Sequence, residues 1–225
     1  YLTGDASVRA YETVTCANGQ SVILMDWPRQ PEGPAVLDGK PYPKVAHLAE
    51  DAYPFVALSI YLREIGLSAP QVLKADYEAG ILLLEDLGQG GVLDPEGRPI
   101  PERYRESIAC LAHLHDQPMR QDIAVTPAHT HHIPDFDPTA MTIEARLLLD
   151  WYLPWKRGAG ATDAERQDYL AIWQELIAGL QTAEKNLVLR DFHSPNIIWR
   201  SQETGVRRVG LIDFQDAMIG PTAYD

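Results

Sequence analysis

The chain has 225 residues, 45% of them hydrophobic, and its 32 acids against 19 bases give a net charge of −13. That length can bury a sizeable core or build two lobes, while the acidity argues against nucleic acid, whose phosphates call for clustered Lys and Arg, and against anionic membrane surfaces. There is no run of about 18 apolar residues to span a bilayer, and the isolated Cys16 and Cys110 read as free thiols in a reducing, cytoplasmic setting.

The chain opens on YLTGDAS, which reads as the middle of a domain, and it stops at Asp225 just after a strand and turn. A piece of a longer protein is therefore expected. Alternation over 8–14, a turn at 17–20 and an apolar run over 21–25 predict a β-hairpin. Segment 27–54 carries six prolines with Gly33 and Gly39, which predicts no regular structure beyond short turns. A long loop of this kind is usually functional or mobile. Amphipathic spacing over 55–65 predicts a helix stopped by Gly66. Two strands follow, at 71–74 and 81–84, and the glycine-rich break at 85–91 marks a boundary between an N-terminal lobe (1–88) and a C-terminal lobe (89–225).

From Pro101 the pattern turns helical through His115. The stretch His129, Thr130, His131, His132 before Asp135 and Asp137 reads as a surface loop, with a zinc site or a substrate contact as alternatives. A helix is predicted over 142–155, broken at Pro154, with Trp151, Tyr152 and Trp155 turned to the core. Thr162 or Asp163 then caps a helix over 164–180 whose stripe is Tyr169, Ile172, Trp173, Leu176 and Ile177.

The chemistry concentrates in 186–216. The apolar runs 187–189 and 209–212 are followed by the acids Asp191 and Asp213, and a third run, 197–199, follows Asn196. The SQETG turn reads as a hairpin connection, with Gly205 free to take positive φ. An acid at the end of a buried strand is costly unless a cation or hydrogen bond compensates it. Two acids and a carboxamide, brought together by one hairpin, form an oxygen site for a hard cation, which is Mg²⁺ chemistry. Arg190-Asp191-Phe192-His193-Ser194-Pro195-Asn196 matches the kinase catalytic-loop spacing, and Asp213-Phe214-Gln215 stands where kinases carry Asp-Phe-Gly.

On these residues, together with GDASVRAYE, ILMDWP, LLLEDLG and GLIDFQDAMIGPTAYD, the chain resembles the aminoglycoside phosphotransferase (choline kinase-like) family. It is particularly similar to the N-acetylmuramate/N-acetylglucosamine kinases. The resemblance implies an α+β, bilobal protein kinase-like fold: a small antiparallel sheet, then a mostly helical lobe, with further helices after Asp225. It implies ATP and Mg²⁺ as cofactors, a small-molecule amino-sugar acceptor, no nucleic-acid or membrane partner, and transfer of the γ-phosphoryl group to a sugar hydroxyl, the anomeric one. Asp191 would be the catalytic base, with Asn196 and Asp213 on the metal. Gly4, Asp5, Ser7 and Arg9 would meet the phosphates, and Glu85 and Leu87 would meet adenine through their main chain. Arg190 and His193 would hold the loop or meet acceptor or phosphate, and Asp216 would orient the sugar or the loop.

One departure stands out. Kinases carry a phosphate-holding Lys on the third strand, but that strand here reads ILMDWP and no Lys precedes Lys40. Either Arg9 or a residue of the following loop replaces it. The alternatives are an aminoglycoside or choline-type phosphotransferase, a catalytically silent nucleotide-binding module, and a His/Asp metal-dependent hydrolase.

Overall fold

A computed structural model describes residues 9–225; the roles expected of Gly4, Asp5 and Ser7 fall outside them. β1 (Ala10–Thr15) and β2 (Ser21–Asp26) form the expected hairpin, closed where Gly19 takes a φ of +83°. Segment 27–54 is more ordered than its prolines suggest. Asp38 and Gly39, both at positive φ, close a minimal hairpin of β3 (Ala35–Leu37) and β4 (Lys40–Pro41). This is the backbone twist that two-residue hairpin turns require. The short helix α1 (Tyr42–Val45) follows directly.

α2 (Tyr53–Glu64) starts with Pro54 in its first turn, where no intrahelical N–H is needed, and ends at Gly66 with a φ of +84°. β5 (Val72–Asp76) and β6 (Ile81–Glu85) complete a four-stranded antiparallel sheet in the order β1-β2-β6-β5. The turn before β6 also holds the exit of β2, because the Trp27 N–H donates to the Gly80 carbonyl at 2.8 Å. Gly80 has a φ of +71°, and a Cβ built on it would lie 2.0 Å from the Trp27 oxygen. Gly80→Ala is therefore expected to cost about 2–4 kcal/mol, from backbone strain plus a displaced Trp27. Chemical denaturation would check this; an unchanged midpoint would contradict it.

α3 (Pro101–His115) matches its helical pattern. The histidine-rich stretch, expected as a loop, is instead the second strand of a hairpin, β7 (Asp122–Thr126) with β8 (His129–His132). The β-branched Ile123, Val125 and Thr126 supply a pairing partner, and the buried Ile123 and Ile133 fix the hairpin to the core. Two of its three imidazoles are engaged elsewhere: His129 stacks on Tyr53 at 3.7 Å, and His132 bonds Asp122 at 2.8 Å. Among the described residues, no group of three or more His, Cys, Asp or Glu side chains could hold a metal.

α4 (Pro138–Leu147) begins earlier than expected, because the Asp137 carboxylate accepts from the Thr139 and Ala140 N–H groups. Pro154 does not break the helix; it sits in the first turn of α5 (Leu153–Arg157), after a π-helical turn over Leu148–Tyr152. The wider turn rotates the helical face. Trp151 and Trp155, expected in the core, are 74% and 75% exposed. α6 (Asp163–Leu180) carries a full capping box between Thr162 and Glu165, but of its predicted stripe Ile177 alone is fully buried, and Ile172 and Leu176 face outward.

The last elements are β9 (Lys185–Val188), β10 (Ile197–Trp199), β11 (Val209–Leu211) and β12 (Met218–Pro221), paired as β9–β12 and β10–β11. One continuous apolar core runs from Met25 and Leu82 in the sheet, through α2, to Leu211 and Phe214. The sheet and the turn that carries Asp213 are therefore packed on the same interior. No described helix is long and apolar enough to cross a membrane.

Candidate active site

The hairpin β10–β11 pairs Ile197 with Leu211, and the Ile212 N–H donates to the Asn196 carbonyl at 3.2 Å. That register brings Asn196 and Asp213 together at the hairpin's open end. The expectation that one hairpin also delivers Asp191 is corrected. Asp191 follows β9, whose partner is β12, so the site is built where two separate ladders meet.

Both turns are held in strained backbone. Arg190 has a φ of +76° and Asp213 a φ of +62°, conformations that non-glycine residues adopt only when their surroundings impose them. At Asp213 the surroundings are explicit. The next residue, Phe214, is 1% exposed and stacks on Phe55 of α2 with ring centres 5.0 Å apart. Asp213 Oδ1 accepts from Arg9 Nη2 at 2.6 Å and from Gln215 Nε2 at 3.0 Å. Asn196 Nδ2 donates to the Asp191 carbonyl at 3.0 Å, lies 3.1 Å from His193 Nε2, and reaches Asp213 Oδ2 at 3.4 Å.

The 3.4 Å approach of the Asn196 amide to Asp213 Oδ2 brings a carboxamide and a carboxylate together. Such a donor set fits Mg²⁺, which uses one or two protein groups and completes its octahedron with water and phosphate oxygens. The site also accounts for the strand that lacks a Lys. Met25 is fully buried in the core and Asp26 faces out, so β2 offers no cation to the cleft. Arg9 supplies one from just before β1, its guanidinium 5.0 Å over the Trp27 ring.

Asp191 opens on the cleft. Partial desolvation, followed by the negative charge of Asp213, pushes its carboxyl above the usual range; His193 and Arg190 oppose the shift, and Asp216 adds the least to it. A carboxyl displaced in this direction is a better proton acceptor when a hydroxyl is presented to it.

The cleft itself has a volume of about 1320 Å³ and is lined by Arg9, Leu87, Asp191, Asn196, Asp213 and Asp216 among others. It exceeds the roughly 300–1,000 Å³ of most small-molecule sites, which leaves room for two substrates. Arg190, His193 and Glu85 do not line it. The Glu85 carboxylate bonds Arg63 Nη1 at 2.9 Å and Arg200 Nη2 at 3.1 Å, joining the sheet to α2 and to the end of β10.

Arg190 works on the proline-rich strap, residues 27–52. Its Nη1 donates to the Ala46 carbonyl at 2.9 Å, and its Nη2 meets the Glu144 carboxylate, which also accepts from the Tyr42 hydroxyl at 2.9 Å. Asp216 grips the same strap, its Oδ1 accepting from the Ala49 N–H at 2.6 Å. His47 pairs with Asp137 at 2.8 Å. Glu144 and Gln215 are positions bonded into the site that sequence reading passed over. The pairing of Glu144 with Arg190 crosses 46 residues and leaves no local pattern. Removing the cation from this mostly buried pair leaves Glu144 uncompensated, so Arg190→Ala is expected to lose about 3 kcal/mol of stability. A thermal midpoint unchanged from the parent would contradict it.

A model of the phosphotransferase enzyme family matches residues 1–225. The chain belongs to that family. Within the family, it is similar to the N-acetylmuramate/N-acetylglucosamine kinase of Caulobacter vibrioides, 34% identical over all of this chain and 64% of that protein. The chain thus spans just under two thirds of that curated relative. Among solved structures, this phosphotransferase-family chain resembles a choline kinase from Streptococcus pneumoniae, with a TM-score of 0.59 at 14% identity, covering 98% of this chain and 64% of the other. An ADP-bound aminoglycoside phosphotransferase gives a TM-score of 0.56 at 17% identity, covering all of this chain and 68% of that one. These likenesses establish the kinase-like α+β fold expected from the sequence.

Proposed function

We propose that the protein of which this chain is a part is an ATP-dependent small-molecule kinase. It would transfer the γ-phosphoryl group to a sugar hydroxyl, the anomeric hydroxyl of N-acetylmuramate or N-acetylglucosamine. The observation that carries this reading is the meeting of Asn196 and Asp213 at the open end of one hairpin, in a cleft that Asp191 also lines. The choice of acceptor is supported by the name of the kinase relative at 34% identity.

The acceptor hydroxyl would hydrogen-bond to the Asp191 carboxylate, which takes its proton late in transfer. Little covalent work falls to the protein, so positioning dominates. Asn196 and Asp213 would hold Mg²⁺, which when bound neutralises charge on the phosphates. Arg9 would hold phosphate oxygens in place of the absent Lys, beside Gly4, Asp5 and Ser7. Leu87, which lines the cleft, would meet the adenine edge through its main chain and close one wall, whereas Glu85 stands outside the cleft with its N–H given to the Gln71 carbonyl at 2.8 Å. His193 would steady the carboxamide of Asn196, while Arg190 and Asp216 hold the strap that faces the acceptor.

A transfer panel with N-acetylglucosamine, N-acetylmuramate, kanamycin and choline tests the reading. Phosphorylation of the amino sugars is the expected result. Transfer to kanamycin or choline alone would overturn the acceptor, and nucleotide binding with no transfer to any of the four would favour a silent module.

A further inference from the structure

The two acids that flank Gln215 do different work, one facing the metal site and the other holding the strap, and a single buried side chain joins them. Gln215 is 3% exposed. Its Nε2 donates both to Asp213 Oδ1 and to Asp216 Oδ2, each at 3.0 Å. Those two carboxylates, which only accept, fix the orientation of the amide. Its Oε1 points into the interior without a hydrogen-bond partner. A buried carbonyl left in this way is costly, so the amide is placed for what its NH₂ group does. Asp216 Oδ1 in turn accepts from the Ala49 N–H of the strap at 2.6 Å, and Asp213 Oδ1 from Arg9 Nη2 at 2.6 Å. The result is an unbroken polar chain from Ala49 through Asp216, Gln215 and Asp213 to Arg9. It runs from the acceptor-facing strap to the nucleotide-facing cation.

We infer that Gln215 is a positioning residue that couples the two halves of the cleft: it sets the Asp213 carboxylate for Mg²⁺-nucleotide according to where Asp216 holds the strap. The inference rests on the kinase reading above and deepens it. Coupling of this kind is reciprocal, so an acceptor that settles the strap tightens Mg-ADP, and Mg-ADP tightens the acceptor by the same factor. Both ends of the chain line the same cleft as Asp191, so a small displacement of either is felt at the other through packed, hydrogen-bonded groups.

The test is calorimetry on the full-length protein, with ADP in EDTA, with Mg-ADP, and with Mg-ADP plus saturating N-acetylglucosamine. In Gln215→Met, which keeps the length and removes the NH₂, the preference for Mg-ADP over ADP should fall at least about fivefold and the effect of the sugar should vanish. Binding of ADP alone should hold, which a merely loosened fold would not allow. Asp216→Asn, nearly isosteric, retains an oxygen for Ala49 but cannot accept from Gln215 through its amide nitrogen. It should keep the Mg²⁺ preference and lose the sugar effect, so the inference stays testable if Gln215→Met does not fold. Parent-like Mg²⁺ preference and sugar effect in both variants would overturn the coupling alone. A parent protein that binds ADP equally with and without Mg²⁺ would overturn the kinase reading as well.

Discussion

Asp191→Asn is expected to lower phosphoryl-transfer turnover by about 10²–10⁴-fold, the range for a positioned general base, while its thermal midpoint stays at or above the parent's. The two effects have one cause. In the fold, desolvation and the charges of Asp213 and Asp216 disfavour the ionised carboxylate. The carboxyl therefore binds its proton more tightly folded than unfolded. Above its folded value the ionised group opposes folding, and the penalty disappears as the pH falls below its unfolded value. Activity runs the other way: it is lost as the pH falls through the folded value, so the acid limb of kcat/KM should lie above the ordinary aspartate range of about 3.9. Near-parent turnover in a folded Asp191→Asn protein would remove Asp191 as the base, and a midpoint well below the parent's would contradict the electrostatic account.

Asp213→Asn should be comparably damaging to activity and, unlike the first change, harmful to the fold. Asn tolerates the left-handed backbone at this position, so the φ of +62° is not the source of the loss. The variant loses the charge that would face Mg²⁺ and that accepts from Arg9 at 2.6 Å. Transfer that depends on positioning and charge neutralisation should fall by at least about 10³-fold. The midpoint should drop by a few degrees, because Arg9, its side chain 8% exposed, faces a neutral amide in place of a carboxylate. Full activity at ordinary Mg²⁺ concentration would place the metal elsewhere.

Much of this site is written locally. Asp191, Asn196 and Asp213 stand out because polar groups at the ends of apolar strands are costly and need a purpose. Their spacing fixes a loop and a hairpin whatever surrounds them. Segment 10–26 and the helix at 55–65 are legible for the same reason: alternation, turn residues and a terminal glycine act within a few positions of one another. The readings that missed were those that depended on a distant partner. Trp151 and Trp155 are placed by a π turn that no periodicity announces. His129 and its neighbours look like ligands until β7 pairs with them and Tyr53 takes the ring.

What the amino-acid order settled alone was the set of chemical groups and the short-range geometry that presents them, since turns, caps and strand ends are decided by neighbours in the chain. What only the folded molecule decided was how those groups are held. The two acids come from different ladders, Arg9 stands across from Asp213 over 204 positions, and Arg190, Asp216 and Gln215 fasten a proline-rich strap to the turns that carry those acids. Charge pairing and hydrogen bonding act through space, so they carry no period along the sequence and become visible when the core of sheet, α2 and Phe214 draws the distant segments together.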